Sequence, residues 1–200
     1  SVMNGFEREL RERILQSIPH ASIEGNIKND EIDTIQSILE ENPEIIATAP
    51  YIETQGLLAS STSLKGIYLY GIEPNEEAQI SLVSRRVIEG HWESLNEEEY
   101  GIIIGDLLAF QLGLRKGDMV NILVPDTSLG ITGILSRSKR FKITGIFNLG
   151  SPEIDQSYAF INIKSAAKLL RMKNSVHGVR LKYKDLFKTR NLIHKDNNRV

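Results

Sequence analysis

The stretch GIIIGDLLAFQLGLRKGDMVNILVP, residues 101–125, constrains the fold more than any other part of the sequence. An apolar run ends at Gly105, a short helical pattern ends at Gly113, and apolar and polar residues alternate over 119–125. Alternation is typical of a half-buried strand, and glycine favours the left-handed backbone that ends many helices. The stretch therefore predicts a strand, a short helix capped by Asp106, and a second strand.

The same stretch lacks the chemistry of a nucleotide-binding loop. Such a loop needs clustered glycines with a Lys-Ser/Thr pair, or the G-x-G-x-x-G pattern, at the start of a helix. Here Gly105 is followed by Asp106, whose carboxylate would repel a phosphate at the helix N-terminus. The stretch is also too interrupted for the ~20 apolar residues of a membrane span. We therefore interpret residues 101–125 as scaffold.

The rest of the chain alternates between helical and extended patterns, without tandem repeats or low-complexity tracts. Asn29 or Asp30 is the expected cap of the second helix. Helices are predicted over 2–18, 30–42, 75–86, 107–113, 164–172 and 185–195. Strands are predicted over 20–25, 44–60, 64–72, 100–104, 119–125, 139–147, 157–163 and 176–184. This order of elements predicts an α+β fold.

Composition excludes several classes of function. The chain is 40% apolar and 25% charged, which is typical of a globular domain. It contains no cysteine, so disulfides, thiolate chemistry and cysteine-bound metals are excluded. The net charge is −2, but basic residues are concentrated over 164–200. This basic region has few aromatic residues and no recognisable nucleic-acid-reading pattern, so we predict no nucleic-acid partner.

No group of residues has the pattern of a catalytic, cofactor or metal site. Ser60, Ser61 and Ser63 lie in a polar turn without the glycine pattern of a nucleophile elbow. The carboxylates at 97–99 lie in a charged loop and are expected to be solvated. The four histidines lack the spacing of helical metal ligands, and they are His20, His91, His177 and His194. We expect a chain that has no cofactor and is not an enzyme.

A purely structural role does not account well for the composition of segment 126–141, DTSLGITGILSRSKRF. Its large aliphatic residues stand among glycines and serines, where loops normally avoid them, and they are Leu129, Ile131, Ile134 and Leu135. Basic residues follow at Arg137, Lys139 and Arg140. The segment is either a hairpin that docks on a protein partner or a loop that folds back on its own core.

Several blocks of the sequence resemble the LolC/LolE family of lipoprotein-releasing permease subunits. These blocks are SVMNGFERELRERIL, YGIIIGDLLAFQLGLRKGDMVNILVP, KRFKITGIF, DQSYAFINIKSAAKLL and VHGVRLKYKDLF. They cover nearly the whole chain in the order of the family. The blocks ILQSIPHASIEG, APYIETQGLL and GIEPNEEAQIS resemble LolE-type members more closely than LolC-type members.

The resemblance implies a fold and a place in the cell. The fold would be MacB-like, with a porter-like α/β subdomain from 1–66 and 168–200 and an inserted, mostly β subdomain over 67–167. The chain would be the periplasmic domain of an ABC transporter permease subunit, embedded by other segments in the bacterial inner membrane. The alternatives are a LolC-type subunit that binds the carrier LolA directly, and a MacB-type efflux permease ectodomain.

The resemblance also implies partners. These would be the other permease subunit, a cytoplasmic ATPase subunit that hydrolyses ATP, and a lipoprotein substrate released toward LolA. The 126–141 hairpin would contact either LolA or the mature lipoprotein. Its basic ending resembles LolC-type members, but it lacks the internal prolines that are typical of the LolC hook, and this absence counts against direct binding of LolA.

Overall fold

The computed structural model describes residues 21–125 and 136–184, which form an α+β fold. The helices predicted over 2–18 and 185–195 and the apolar part of segment 126–141 lie outside the described residues. The strands are β1 (Ala21–Lys28), β2 (Ile45–Ala59), β3 (Leu64–Ile72), β4 (Val87–Gly90), β5 (Gly101–Gly105), β6 (Met119–Pro125), β7 (Ser136–Phe147), β8 (Tyr158–Asn162) and β9 (Ser175–Tyr183). The helices are α1 (Asn29–Glu40), α2 (Pro74–Ile80), α3 (Ser94–Glu97), α4 (Asp106–Leu112), α5 (Pro152–Asp155) and α6 (Ile163–Leu170), with a 3-10 helix at Val83–Arg86.

Six of the strands close into a ring. Strands β2, β3, β8, β5, β7 and β6 pair in that order, and β6 pairs back with β2. The β3–β8 and β5–β7 pairs are parallel, and the others are antiparallel. Strands β9 and β1 extend the sheet from β2, and β4 extends it from β7. The ring has no free edge, so exposed strand edges occur at β1 and β4.

The inner face of the ring is filled by aliphatic side chains and Phe141. This buried cluster continues beyond the ring, where α1 and α6 pack against it through Ile32, Ile35, Ala166 and Leu169. Ring residues of the cluster that are fully buried include Leu58, Leu69, Ile102, Ile104, Ile122 and Ile143. One continuous apolar core therefore joins the ring to its layer of helices.

A second, smaller core lies on the outer face of the ring. Trp92, Phe147 and Phe160 pack there with aliphatic residues from the short helices. The Trp92 indole donates a hydrogen bond to the Pro74 carbonyl oxygen over 2.8 Å, which ties the segment that follows β4 to α2. Aromatic rings also contact each other edge to face, as in the Phe147–Phe160 pair. The short helices thus cover only part of the outer face.

Two predicted helix caps are wrong. Helix α1 begins at Asn29, and its N-cap residue is Lys28, whose backbone N–H donates to the Glu31 carboxylate over 3.1 Å. Neither Asn29 nor Asp30 is the cap, because Glu31 satisfies the free N–H from inside the helix. The N-cap of α4 is Gly105, without a side-chain cap.

Two other local expectations also differ from the structure. The helix predicted over 75–86 ends at Ile80, because Ser81 is extended and the chain continues as a 3-10 helix. The Ser81 hydroxyl accepts a hydrogen bond from the Val83 N–H over 3.2 Å, which holds this break. Strand β4 was not predicted at all.

Candidate functional site

The candidate site is built on the ribbon formed by β6 and β7. These strands pair without a register shift from Met119–Lys142 to Pro125–Ser136. Segment 126–135 therefore leaves and rejoins the fold at two neighbouring backbone positions, as a hairpin connection requires. Strand β7 begins at Ser136, three residues before the start of the strand that the sequence predicts over 139–147.

The base of the ribbon is firmly anchored. Val120, Ile122 and Val124 are buried on one face of β6, whereas Met119 and Asn121 on the other face are exposed. This is the alternation that the sequence predicted. Strand β6 also pairs with β2, so both sides of β6 are hydrogen-bonded within the ring. A partner that binds the connection would therefore be attached to a strand pair that is fixed within the ring.

The structure does not gather the three predicted basic residues into one patch. Successive side chains of a strand point to opposite faces, so Arg137 and Lys139 share the face of Phe141. Arg140 lies on the other face with Lys142. Arg137 is half-buried, and Lys139 and Arg140 are exposed. The four apolar site residues, Leu129, Ile131, Ile134 and Leu135, lie outside the described residues.

Lys139 belongs to an aromatic and charged cluster around Tyr100. Its ammonium lies 4.1 Å from the centre of the Tyr100 ring, whose edge packs on Phe141. The Lys168 ammonium lies 6.0 Å from the same ring and forms an ion pair with Glu99. The hydrogen bond from Lys168 lowers the pKa of Glu99, and the same bond raises the pKa of Lys168. This cluster holds the side chain of Lys139 in place on the ribbon.

The residues first considered for catalysis have structural roles. His91 contacts the Glu97 carboxylate at 3.1 Å on the surface, and His177 Nδ1 accepts the Glu53 backbone N–H over 3.0 Å. The Ser60 hydroxyl accepts the Ser63 N–H over 3.0 Å within a turn. Among residues 21–125 and 136–184, no cluster of His, Asp and Glu could hold a metal ion. His20 and His194 lie outside these ranges.

The start of α4 has the geometry of a structural turn and not of a phosphate-binding loop. The Oδ2 atom of Asp106 accepts a hydrogen bond from the Asn148 amide over 2.6 Å. The carboxylate therefore occupies the start of α4, where a phosphate would have to bind. Gly113 ends the helix with φ 63° and ψ 35°, which confirms the predicted left-handed stop.

Sequence reasoning missed a second polar site on the outer face of the ring. The Arg180 guanidinium donates to the Glu77 carboxylate over 3.0 Å, and both side chains are buried. Arg180 also lies 5.0 Å from the Tyr51 ring centre and 5.3 Å from that of Tyr70. The available signal was Arg180 itself, a charged residue placed between the strand residues of VHGVRLKY.

No helix among the described residues is long and apolar enough to cross a membrane. No protein-family model matches the chain.

Curated relatives share the sequence over almost all of the chain. It is 36% identical over 187 residues to the lipoprotein-releasing system transmembrane protein LolC of Neisseria meningitidis serogroup B, covering 92% of this chain and 45% of that protein. It is 35% identical over 188 residues to LolC of Xylella fastidiosa strain Temecula1, covering 93% and 45%. With LolE of Haemophilus influenzae it shares 31% over 198 residues, covering 96% and 47%. The chain thus spans about half the length of these relatives.

Solved structures share the fold at low sequence identity. The extracellular domain of the ABC-type transporter YknZ from Gram-positive bacteria superposes with a TM-score of 0.54 and 12% identity, covering 86% of this chain and 84% of that one. The periplasmic region of MacB from Actinobacillus actinomycetemcomitans gives a TM-score of 0.54 and 11% identity, covering 89% and 86%. The MacB-like fold predicted from the sequence is confirmed. Over more than nine-tenths of its length, the chain is thus similar in sequence to the lipoprotein-releasing system transmembrane proteins LolC and LolE.

Proposed function

We propose that this chain is the periplasmic domain of an ABC transporter permease subunit that releases lipoproteins from the inner membrane for transfer to LolA. The observation that carries the proposal is the identity of 31–36% to LolC and LolE proteins over more than nine-tenths of the chain. The MacB and YknZ neighbours, which are extracytoplasmic parts of transporters, support the placement outside the cytoplasm. A MacB-type efflux role is less well supported, because that likeness is one of fold alone.

The proposal assigns the chemistry of ATP hydrolysis to a separate cytoplasmic ATPase subunit. The rest of the permease would be embedded in the inner membrane, beside the other permease subunit. This chain would shelter, guide or hand over the acylated protein, and it would catalyse no step itself. Support comes from the names of the relatives, which are transmembrane proteins of a releasing system.

The subunit type is a separate part of the proposal. The blocks quoted above favour a LolE-type subunit, whereas the LolC relatives named here share 35–36% identity and the LolE relative 31%. We retain the LolE-type assignment as a proposal and the LolC-type assignment as its alternative. Contact with LolA distinguishes them, because the LolC-type alternative binds the carrier directly.

We also propose a division of the chain into a subdomain of 1–66 with 168–200 and an inserted subdomain of 67–167. The pairing of β1 with β9 supports it, since these strands come from opposite ends of the chain. A subdomain built from both chain ends requires contact between its two segments, and this pairing provides such a contact.

The partner-binding element in this proposal is the connection between β6 and β7. Its anchored base and the aliphatic residues of its sequence support this role. Burying several such side chains would stabilise the complex by roughly 25 cal/mol per Å² of apolar surface removed from water, before the costs of association are subtracted. Arg140 and Lys139 would steer an acidic partner, which would make the association sensitive to salt.

The test uses the reconstituted transporter with Ile131→Ser and Ile134→Ser combined. We expect reduced lipoprotein release, and loss of any LolA crosslink that the wild type forms. The matched control combines Ile38→Ser and Ile88→Ser, because these isoleucines are exposed on other surfaces at 61% and 60%. Circular dichroism verifies that each variant is folded.

The outcomes separate the parts of the proposal. Wild-type release and crosslinking in the hairpin variant would overturn the docking role of the connection. Lost release without a LolA crosslink in the wild type would assign the hairpin to the lipoprotein and favour the LolE-type subunit. A reconstituted wild-type transporter that releases no lipoprotein would overturn the proposed function itself.

A further inference from the structure

The outer face of the ring has an open groove that the short helices leave uncovered. One cavity of about 310 Å³ lies among strands β1, β2, β3, β8 and β9. A second cavity of about 310 Å³ adjoins it and shares Glu53 and Tyr70 with it. We call the two together the tyrosine–glutamate groove, lined chiefly by Glu24, Tyr51, Glu53, Tyr68, Tyr70 and Tyr158. Each cavity is large enough for one long side chain of a ligand.

Neighbouring aromatic rings form one wall of the groove. Tyr68 is directly opposite Tyr158 in the parallel β3–β8 pair, with ring centres 5.6 Å apart. Tyr70 lies 5.2 Å from Tyr158 and continues the row toward Phe160. Tyr68 remains 45% exposed despite these contacts. Faces of aromatic rings attract cations, so this wall favours an ammonium or guanidinium group.

The charged residues that line the groove also favour a cationic ligand. Arg180 is the one cation among the described residues that line the two cavities, and its charge is paired with Glu77 on the floor. Glu24 and Glu53 lie at the exposed rim, where they leave an excess of negative charge. Arg180 already shows that the walls accommodate a cation, since it lies between the rings of Tyr51 and Tyr70.

The floor of the groove also offers an unused hydrogen-bond acceptor. Glu77 is only 1% exposed, and its Oε1 atom has no hydrogen-bond partner among the described residues. A buried acceptor without a partner costs free energy, and a donor from a ligand would recover that cost once the floor of the groove rearranges to admit it. The N–H groups of a lysine or arginine side chain are such donors.

From these observations we propose that the tyrosine–glutamate groove binds a lysine or arginine side chain presented by a basic segment of a partner protein. The tyrosine wall would contact the aliphatic part and the cationic head of that side chain. Glu53 and Glu24 would attract it at the rim, and the buried carboxylate of Glu77 would add negative charge beneath it. The inference rests on this face of the ring alone and does not depend on the transport role.

The test measures binding of a fluorescein-labelled peptide of alternating serine and lysine to the full-length protein in detergent solution. Glu24→Gln and Glu53→Gln are combined in one variant, because both residues are exposed and their loss should not disturb the fold. The control variant combines Glu89→Gln and Glu93→Gln, which removes the same charge from exposed positions outside the groove. A second peptide carries norleucine in place of lysine.

We expect the lysine peptide to bind saturably and the norleucine peptide to bind much more weakly. The groove variant should raise the Kd of the lysine peptide by about fivefold or more, as expected for two rim charges, and the control should leave it unchanged. Three results would overturn the proposal. They are the absence of saturable binding, an equal loss in both variants, and equal affinity for the two peptides.

Discussion

Gly113 has a backbone conformation that few other residues adopt without strain. It follows α4 with φ 63°, and its N–H donates to the Phe110 carbonyl over 3.2 Å. A Cβ atom at this position would meet nothing within 4 Å. Any cost of a substitution at Gly113 is therefore a cost of backbone conformation and not of crowding.

Gly113→Val should lower the free energy of unfolding by about 1 kcal/mol or more, because a β-branched residue is strained at positive φ. Gly113→Asn should cost less, since asparagine tolerates the left-handed region. Urea unfolding of the three proteins gives the comparison. Equal costs for valine and asparagine would contradict this explanation.

Glu77 makes the stability of the fold depend on pH. Burial is the largest influence on the Glu77 carboxyl and raises its pKa above the ordinary 4.5, although Arg180 opposes the shift. Burial also raises the pKa of Asp155 and that of Glu76. A carboxyl with a raised pKa binds its proton more tightly in the folded state than in the unfolded state. Its contribution is thus fully present below pH 4.5 and is lost as the pH rises through the folded pKa.

We therefore expect the free energy of unfolding to fall as the pH rises above 4.5. Glu77→Gln should flatten this dependence, since the amide does not titrate. The variant also leaves the Arg180 charge buried without its partner, so the slope against pH is compared and not the absolute stability. Glu89→Gln, at an exposed position, is the control. An unchanged slope in Glu77→Gln would show that Glu77 is not a source of the pH dependence.

At the scale of elements, the packing of α6 on β3 depends on a small residue at their closest approach. A Cβ atom built on Gly71 would overlap the Ala166 side chain of α6 and lie 3.4 Å from the Ile163 Cα. Gly71 is thus the contact that fixes how closely the helix approaches the ring. The N-terminus of α6 is held separately, because the Asn162 side chain accepts the Lys164 N–H over 2.9 Å.

Gly71→Ala should destabilise the fold by roughly 1–3 kcal/mol, because the added methyl group overpacks this contact. Ala166→Gly removes the methyl group opposite and should recover part of the loss in the double variant, although glycine is itself unfavourable within a helix. Denaturant unfolding of both single variants and the double variant gives the coupling energy. Additive effects would show that the two positions do not share the contact.

Elements with a local pattern could be predicted from the sequence, and those that depend on distant contacts could not. The alternation over 119–125 predicted β6, and Gly113 predicted the end of α4. The break at Ser81 was missed because the helical pattern continues through Val83, which is buried instead in the core around Trp92. Strand β4 has four residues and no buried one, so its sequence carries no period to detect.

The two candidate sites, segment 126–141 and the tyrosine–glutamate groove, also differ in whether a local pattern in the sequence indicates them. Segment 126–141 could be proposed from the sequence because its aliphatic residues lie within seven positions of an otherwise polar stretch. The tyrosine–glutamate groove was not, because Glu53, Tyr70 and Arg180 come from three separate strands. Only the pairing of those strands brings their side chains to one face.

At the scale of the whole molecule, the start of α4 is the place where a nucleotide-binding loop was first considered. Its residues serve the packing of the fold instead. Gly105 is close-packed, since a Cβ atom there would overlap the Asp155 backbone. The Asp106 carboxylate is hydrogen-bonded by Asn148 at the same place. There is accordingly neither room nor the right charge for a phosphate at this helix start.

Titration with ATP and Mg²⁺ should leave the Tm of the domain unchanged. A ligand that binds only the native state at 100 times its Kd would stabilise it by about 2.7 kcal/mol, which a melting experiment detects. A protein known to bind ATP, tested in parallel, is the positive control. A saturable upward shift of the domain's own Tm would disprove the prediction.

The pairing of β1 with β9 has a mechanical consequence. Ala21 pairs with Leu181, so the chain enters and leaves the described fold at adjacent points of one antiparallel pair. A force that separates these two points would load one hydrogen-bonded pair at a time and peel β1 away, since Ile27 is the one buried residue of that strand. A force that moves both points together would instead leave this pair intact, because it does not pull β1 away from β9.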